Sequence, residues 1–338
     1  ARVVNIEPVE GFNTRRIRPI LNNGDSSLHG YLHANKESVR NFGELICHPA
    51  IIEADLVLLD PFLLPTYGDL SHIRANTCAI SWFGSDGPYS HYQASDEAIH
   101  ALTGLMLGIG EREGPPIIPK GYQAQILGGL SAFNGAVGHL MGIDKKSEKN
   151  DSSEFFRLDT SIYEANLYLT DVGAIMSFND EPLPMRLGIN RFWPTYPLGI
   201  WPCKDGWIGV TVLSPAQWES FCELLGLQEL FENPIYHSSM ARLEAVDLIE
   251  PKILDALKNW SSEDLFYRGQ KMRIPLARVP MMHELFSVDQ FQERQAFSSF
   301  TSGGECFIGP TIPFRLFSTP PKQGGEVSSL GADEFKWS

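Results

Sequence analysis

The stretch RLDTSIYEANLYL (157–169) sets two carboxylates on either side of a helix start. Glu164 stands three residues after Ser161, and S-x-x-E is the spacing of a capping box. In that motif the Ser161 oxygen accepts from the amide of residue 164, and the Glu164 carboxylate reaches back to the amide of Ser161. The same spacing puts a carboxylate at a helix N-terminus, where the dipole favours its anion. An ionised carboxylate so placed can attack an acyl carbonyl, with helix-start amides to meet the developing oxyanion. The spacing leaves both uses of Glu164 open. Asp159, at the end of a strand and two residues before the cap, is expected to hold the turn through its own side-chain bonds.

Other residues able to do chemistry are sparse. Cys47, Cys78, Cys203, Cys222 and Cys306 show no C-x-x-C spacing, and such a set reads as reduced thiols of an intracellular, cytoplasmic protein. The adjacent Cys47 and His48 lack further ligands at a recognisable spacing, so no metal site is expected. Arg15 and Arg16 are the best cations for a phosphate or carboxylate, and Lys120, in a Gly/Pro loop, is a weaker one. Asp96 opens an apolar segment with His100 one turn further on, read as a satisfied helix histidine. F-G-S-D-G-P-Y (83–89) is a tight turn that needs glycine at Gly84 and Gly87.

These residues must be positioned by a folded chain of 338 residues, 43% hydrophobic and 20% charged, room enough for one large domain or two ordinary ones. A net charge of −14 argues against nucleic acid and against a basic membrane-surface helix. No apolar run has bilayer length, and the chain opens on ARVVNIEP without a charged-then-apolar leader.

ARVVNIEP, IEADLVLLD (52–60) and TCAISWFG (77–84) read as buried strands, ESVRNFGELICH (37–48) as helical, and FFRLD as a strand feeding the Glu164 segment. Strands alternating with helices predict a parallel sheet with helices on its faces. Residues 96–110 form an apolar helix ending in glycine, and small residues recur through 125–142, as in a helix packed closely on a neighbour. Beyond RFWPTYPLGIWP, a proline-stiffened connector, come the strand DGWIGVTV and the helix PAQWESFCELLG with glycine at its end. A helical stretch interrupted at Pro251 follows, then a helix capped by Ser261 or Ser262.

In order along the chain, A-R-V-V-N-I-E-P (1–8), R-R (15–16), L-N-N-G-D-S-S (21–27), F-G-S-D-G-P-Y, D-x-x-x-x-A-L-T-G-L-M (96–106), L-D-T-S-I-Y-E-A (158–165), D-G-W-I-G-V-T-V (205–212), Q-W-E-S-F-C-E-L-L-G (217–226), I-P-L-A-R-V (274–279) and G-P-T-I-P-F-R-L-F-S-T-P-P (309–321) form one pattern. It resembles the family III CoA-transferases, which include formyl-CoA and carnitine CoA-transferases and the related α-methylacyl-CoA racemases. The resemblance implies an α/β fold. A Rossmann-like large domain would occupy 1–190, without the usual first strand–helix unit, a smaller α+β domain 191–290, and a return segment 291–338. It implies an interlocked homodimer, or a heteromer if another chain completes the large domain.

In activity, the resemblance implies transfer of coenzyme A, as co-substrate, between an acyl-CoA and a small carboxylate. Glu164 stands where family transferases carry the nucleophilic Asp, and Asp96 would orient the acceptor. Gly84 and Tyr89 would line the site, with Arg15, Arg16, Lys120 and Gln125 against substrate or CoA. Asp25 replaces a basic residue after L-N-x-G, Gln93 replaces a Lys, and no Arg directly follows the strand ending at Asp60. Each loss weakens the expected grip on phosphates. Two further readings stand beside transfer. One is a repurposed, non-catalytic member that serves as partner subunit or binder of another small molecule. The other is a racemase, for which Ser95-Asp96 and Gln125 fall at the acid/base positions, although neither Ser95 nor Gln125 can abstract a proton near neutral pH.

Overall fold

In the computed structural model, residues 1–41, 49–61, 73–146, 155–170, 175, 177–178, 186–334 and 336 are described. Cys47 and His48 lie outside them. Along the chain run β1 (Val4–Glu7), α1 (Ser27–His33), β2 (Glu37–Arg40), β3 (Val57–Leu59), β4 (Thr77–Ser81), α2 (Asp96–Leu102), α3 (Gln123–Lys146), β5 (Arg157–Ser161) and α4 (Ile162–Asn166). There follow β6 (Leu198–Cys203), β7 (Gly206–Thr211), α5 (Pro215–Leu225), α6 (Ser239–Glu244), α7 (Val246–Leu257), α8 (Ser262–Lys271), β8 (Leu276–Arg278), β9 (Phe297–Ser302), β10 (Glu305–Pro310) and β11 (Gly325–Glu326). Two compact units result. One comprises Ala1–Gln93, Gln125–Ala165 and Met282–Ser338, the other Ala94–Ala124 and Asn166–Met281.

In the first unit β3, β4 and β5 form a parallel sheet in that order. Cys78, a short apolar residue in the middle strand, is fully buried, as expected of a strand covered on both faces. The small-residue periodicity of α3 has a direct cause. A Cβ at Gly128 would lie 2.7 Å from Ile162 Cγ1, and one at Gly135 would lie 2.9 Å from Leu158 Cδ2. Only glycine lets α3 approach β5 and the first turn of α4 so closely.

Two expectations from the sequence are corrected. Glu37–Arg40 is not helical but a strand, β2, paired in parallel with β1 from Val4↔Glu37 to Glu7↔Arg40. Pairing with a strand more than thirty positions away overrides its local character. The apolar segment from Asp96 breaks at Gly104, whose φ of +77° ends α2 before a short 3₁₀ turn at Leu105–Gly108.

The second unit carries the antiparallel sheet β6-β7-β8. Its core gathers Trp201, Ile208, Val210, Trp218, Phe221, Ile249, Ile253, Leu257 and Leu265. Ser214 begins α5 with a full capping box through Gln217, and Gly226 closes it in the left-handed region. Ser261 caps α8. The helical stretch before it divides at Ala245, between α6 and α7, while Pro251 lies inside α7. Buried Arg242 is satisfied by the carbonyls of Tyr196, Tyr236 and His237 and stacks over Trp218.

Candidate active site at the carboxyl ends of two parallel strands

Strands β4 and β5 end together, with Ser81 in register with Ser161. The carboxyl end of a parallel sheet is where ligands of open α/β folds bind. Each terminal serine fixes the segment that leaves its strand. Ser81 Oγ accepts from the amide of Gly84 at 2.9 Å, and Ser161 Oγ accepts from the amide of Glu164 at 3.1 Å. The two exits are also tied to each other, because the amide of Tyr163 donates to the carbonyl of Trp82 at 2.9 Å.

Asp159 does not close a turn of its own. It lies within β5, and its Oδ2 accepts from both the amide and the hydroxyl of Ser85, each at 2.8 Å. A Cβ at Gly84, where φ is +88°, would come within 3.4 Å of that carboxylate. That is ordinary contact, so it is the positive φ of the turn that calls for glycine here.

At Glu164 half of the predicted capping box forms. Ser161 accepts the Glu164 amide, but Ser161 is still the last residue of β5, and the return bond from the Glu164 carboxylate is not made. Among the described residues that carboxylate, on an exposed side chain, takes no hydrogen bond or ion pair. The helix-start amides expected to meet an oxyanion are consumed, Tyr163 N by Trp82 and Glu164 N by Ser161. In the 83–89 turn, the amides of Asp86 and Gly87 donate to no acceptor among the described residues.

Tyr89 belongs to an aromatic cluster. The ring of Phe83 meets those of Tyr89, Tyr92 and Tyr163 edge-on at centroid distances of 5.6, 6.4 and 5.6 Å. Glu164, Gly84, Tyr89 and Gln125 all fall in the first unit, and Gln125 lies exposed on the first turn of α3.

Asp96 and Lys120 belong to the second unit. Asp96 is 5% exposed, and its Oδ1 accepts the amide of Ala124 at 2.8 Å, so it anchors the first turn of α3. Lys120 is exposed. Both ring nitrogens of fully buried His100 lack a partner among the described residues.

Arg15 and Arg16 are both engaged. Arg15 forms a two-bond fork with Glu7, Nε–Oε2 at 2.8 Å and Nη2–Oε1 at 2.6 Å, and Arg16 donates to the carbonyl of Glu10 at 2.6 Å. Asp25 accepts from Ser302 at 2.8 Å, and Glu305 holds the amides of Asn22 and Asn23, so the L-N-N-G-D loop is fastened to the β9–β10 hairpin.

Beside this ion pair His29 and His33 stack at 4.3 Å, with Thr14 on His29 Nδ1. Burial, reinforced by Arg15, brings His29 down to about 4, and burial with the charge of its neighbours does the same to His33. Burial would raise Glu7, but the bonds from Arg15, Ser38 and the Phe12 amide outweigh it and bring it down to about 2. As pH falls below the ordinary histidine value near 6.5, the unfolded chain takes up protons that the folded histidines refuse down to about 4. Stability is lost across that window, and Glu7 adds a further loss between 4.5 and about 2. Tm is expected to hold above pH 7 and to fall from about 6.5 downward. His33→Leu should make the upper limb of the Tm–pH curve shallower.

Among the described residues no group of three or more His, Cys, Asp and Glu could hold a metal, and no helix is long and apolar enough to cross a membrane. The residues that sequence reasoning missed are Ser81, Ser85, Phe83, Tyr92 and Tyr163. The signals for them were the matching serines at the ends of TCAIS and RLDTS and the Y-S-H-Y run at 89–92.

Residues 74–334 match CoA-transferase family III. A probable CoA-transferase of Mycobacterium tuberculosis is 25% identical over 100% of this chain, which spans only 44% of that relative's length. The acetyl-CoA:oxalate CoA-transferase of Acetobacter aceti is 23% identical over 96% of this chain and 85% of its own. A CaiB/BaiF family protein from Brucella suis has the same fold, with a TM-score of 0.81 at 19% identity over 98% of this chain and 89% of its own.

Proposed function

The chain belongs to CoA-transferase family III, and on that premise we propose that it moves coenzyme A from an acyl thioester to a carboxylate acceptor through a covalent intermediate on Glu164. One observation carries the reading. The Glu164 carboxylate stands exposed at the carboxyl end of β5, its backbone fixed by Ser161 and its side chain not used by the helix it begins.

The chemistry follows from an unengaged anion. Glu164 attacks the thioester carbonyl, a C–O bond forms as the C–S bond breaks, and a mixed anhydride and CoA thiolate result. The thiolate then attacks the Glu164 carbonyl of the anhydride, which frees the first acid and leaves CoA as a thioester on Glu164. The acceptor carboxylate attacks that thioester, and CoA thiolate is released once more. It then attacks the acceptor's carbonyl, so the new acyl-CoA leaves and Glu164 is regenerated. The loop amides of Asp86 and Gly87 are the donors open to the oxyanion. Gly84 and Tyr89 line the site. Gln125 and the outer atoms of Arg15 and Arg16 are the candidates for contact with CoA.

Incubation with an acyl-CoA followed by hydroxylamine should leave a hydroxamate on Glu164 that peptide mass spectrometry detects. No adduct, together with unchanged melting at millimolar CoA, would reject transfer.

The functional unit in this reading is a homodimer. Along the face of α3 turned away from β5, Ile126, Leu130, Phe133, Val137 and Met141 are all exposed. They recur at three and four residues, the spacing of a helix seam that faces a partner. Phe133→Glu would set a charge in the middle of that seam. Light scattering after gel filtration should shift from dimer toward monomer, whereas Asn134→Glu, outside the stripe, should leave the dimer intact.

A further inference from the structure

We infer that the aromatic cluster beside Glu164 selects carboxylic acids with a flat, apolar body, such as arylalkanoates, over small diacids. This rests on the reading of Glu164 as the point of transfer.

The cluster is anchored to the active turn itself. Tyr163 immediately precedes Glu164, its amide is held by Trp82, and its ring packs edge-on against Phe83. Phe83 lies on the turn that Ser81 and Asp159 pin through Gly84 and Ser85. From there Phe83 reaches Tyr89 and Tyr92, which stack nearly parallel at 5.0 Å and 17°, held by a 2.8 Å bond from the amide of Tyr92 to the carbonyl of Tyr89.

Both rings are nevertheless substantially exposed, Tyr89 at 43% and Tyr92 at 48%. A preordered pair of rings with open surface is a platform for another planar apolar group, since offset stacking on tyrosine gains contact at little cost in side-chain freedom.

Charge points the same way. The two segments that meet here, residues 82–93 and 158–165, contain no Lys or Arg but carry Asp86, Asp159 and Glu164. The second carboxylate of a diacid would find no Lys or Arg on either segment, only the His91 ring edge-on to Tyr92, and three anions nearby. An acid with a single carboxylate and an apolar body avoids that repulsion.

The test pairs a binding readout with a transfer readout. Saturation-transfer NMR on the purified full chain should show ring-proton contacts for 3-phenylpropionate and none for succinate. Tyr92→Leu should remove most of the phenylpropionate signal, and Tyr92→Phe should keep it. With an acyl-CoA donor, kcat/KM for phenylpropionate should exceed that for succinate, and Tyr92→Leu should lower the ratio about tenfold, the scale of one aromatic pair. Equal or stronger binding of succinate, or phenylpropionate binding indifferent to both Tyr92→Leu and Tyr89→Leu, would overturn the inference. Aryl binding that depends on Tyr92 without any transfer would uphold this site while rejecting Glu164 as nucleophile.

Discussion

Replacing Glu164 with Gln is expected to reduce acyl-CoA:carboxylate transfer by at least a thousandfold while leaving the fold and the melting temperature nearly unchanged. Gln is the same length and keeps the amide that Ser161 holds, but its neutral side chain cannot form a mixed anhydride, so the two-step covalent route is closed. The carboxylate supports no other part of the structure, taking no hydrogen bond or ion pair among the described residues. A surface group without partners contributes within about 0.5 kcal/mol to stability, so kinetics and melting should separate cleanly. Glu164→Asp is the sharper probe. The reacting oxygens would withdraw by one methylene along a turn fixed by the bonds of Ser161 and Trp82. A displacement of about 1 Å is worth on the order of a hundredfold in rate, so this variant should fall between wild type and Gln. Single-turnover assays read by mass spectrometry of the acyl-CoA product measure both effects. Full transfer by the Gln variant would exclude Glu164 as nucleophile.

The sequence carried the parts of this site that depend on local spacing, and missed those that depend on register. VVNI, LVLL and TCAIS announce β1, β3 and β4 through runs of apolar and β-branched residues bounded by turns, and FFRLD announces β5 two residues early. S-x-x-E likewise announces the bond from the Glu164 amide to Ser161. It could not show that the other half of the box is absent, because that depends on Ser161 remaining in the β4–β5 ladder. Asp159 and Ser85 are 74 positions apart, and only the parallel register brings the carboxylate to the turn. The strand at Glu37–Arg40 was hidden for the same reason, as ESVR has little strand character until β1 lies beside it. Arg15 and Arg16 looked like free cations because their acceptors, Glu7 and the Glu10 carbonyl, reveal themselves only once the chain has turned back.

Arg15→Met should therefore be a stability variant first. Glu7 is fully buried, and the Arg15 fork is its principal counter-charge, with Ser38 and the Phe12 amide supplying the remaining bonds. Removing one partner of a buried pair leaves an uncompensated charge in a medium that solvates it poorly, at a cost of about 3–5 kcal/mol. That is a large part of the roughly 5–15 kcal/mol that holds a typical domain folded. The urea midpoint should drop accordingly, and the acid limb of the stability curve should move upward, because Glu7 without Arg15 is no longer held down near 2. Arg15→Lys keeps a charge but loses the planar fork, so it should recover only part of the loss. Combining Arg15→Met with Glu7→Gln should recover more, since no buried charge then lacks a partner. Ser38 and Phe12 can still bond a neutral amide at that position. If Arg15 instead served mainly as a ligand cation, Arg15→Met would leave the urea midpoint in place and weaken CoA binding alone. The double variant would then recover nothing.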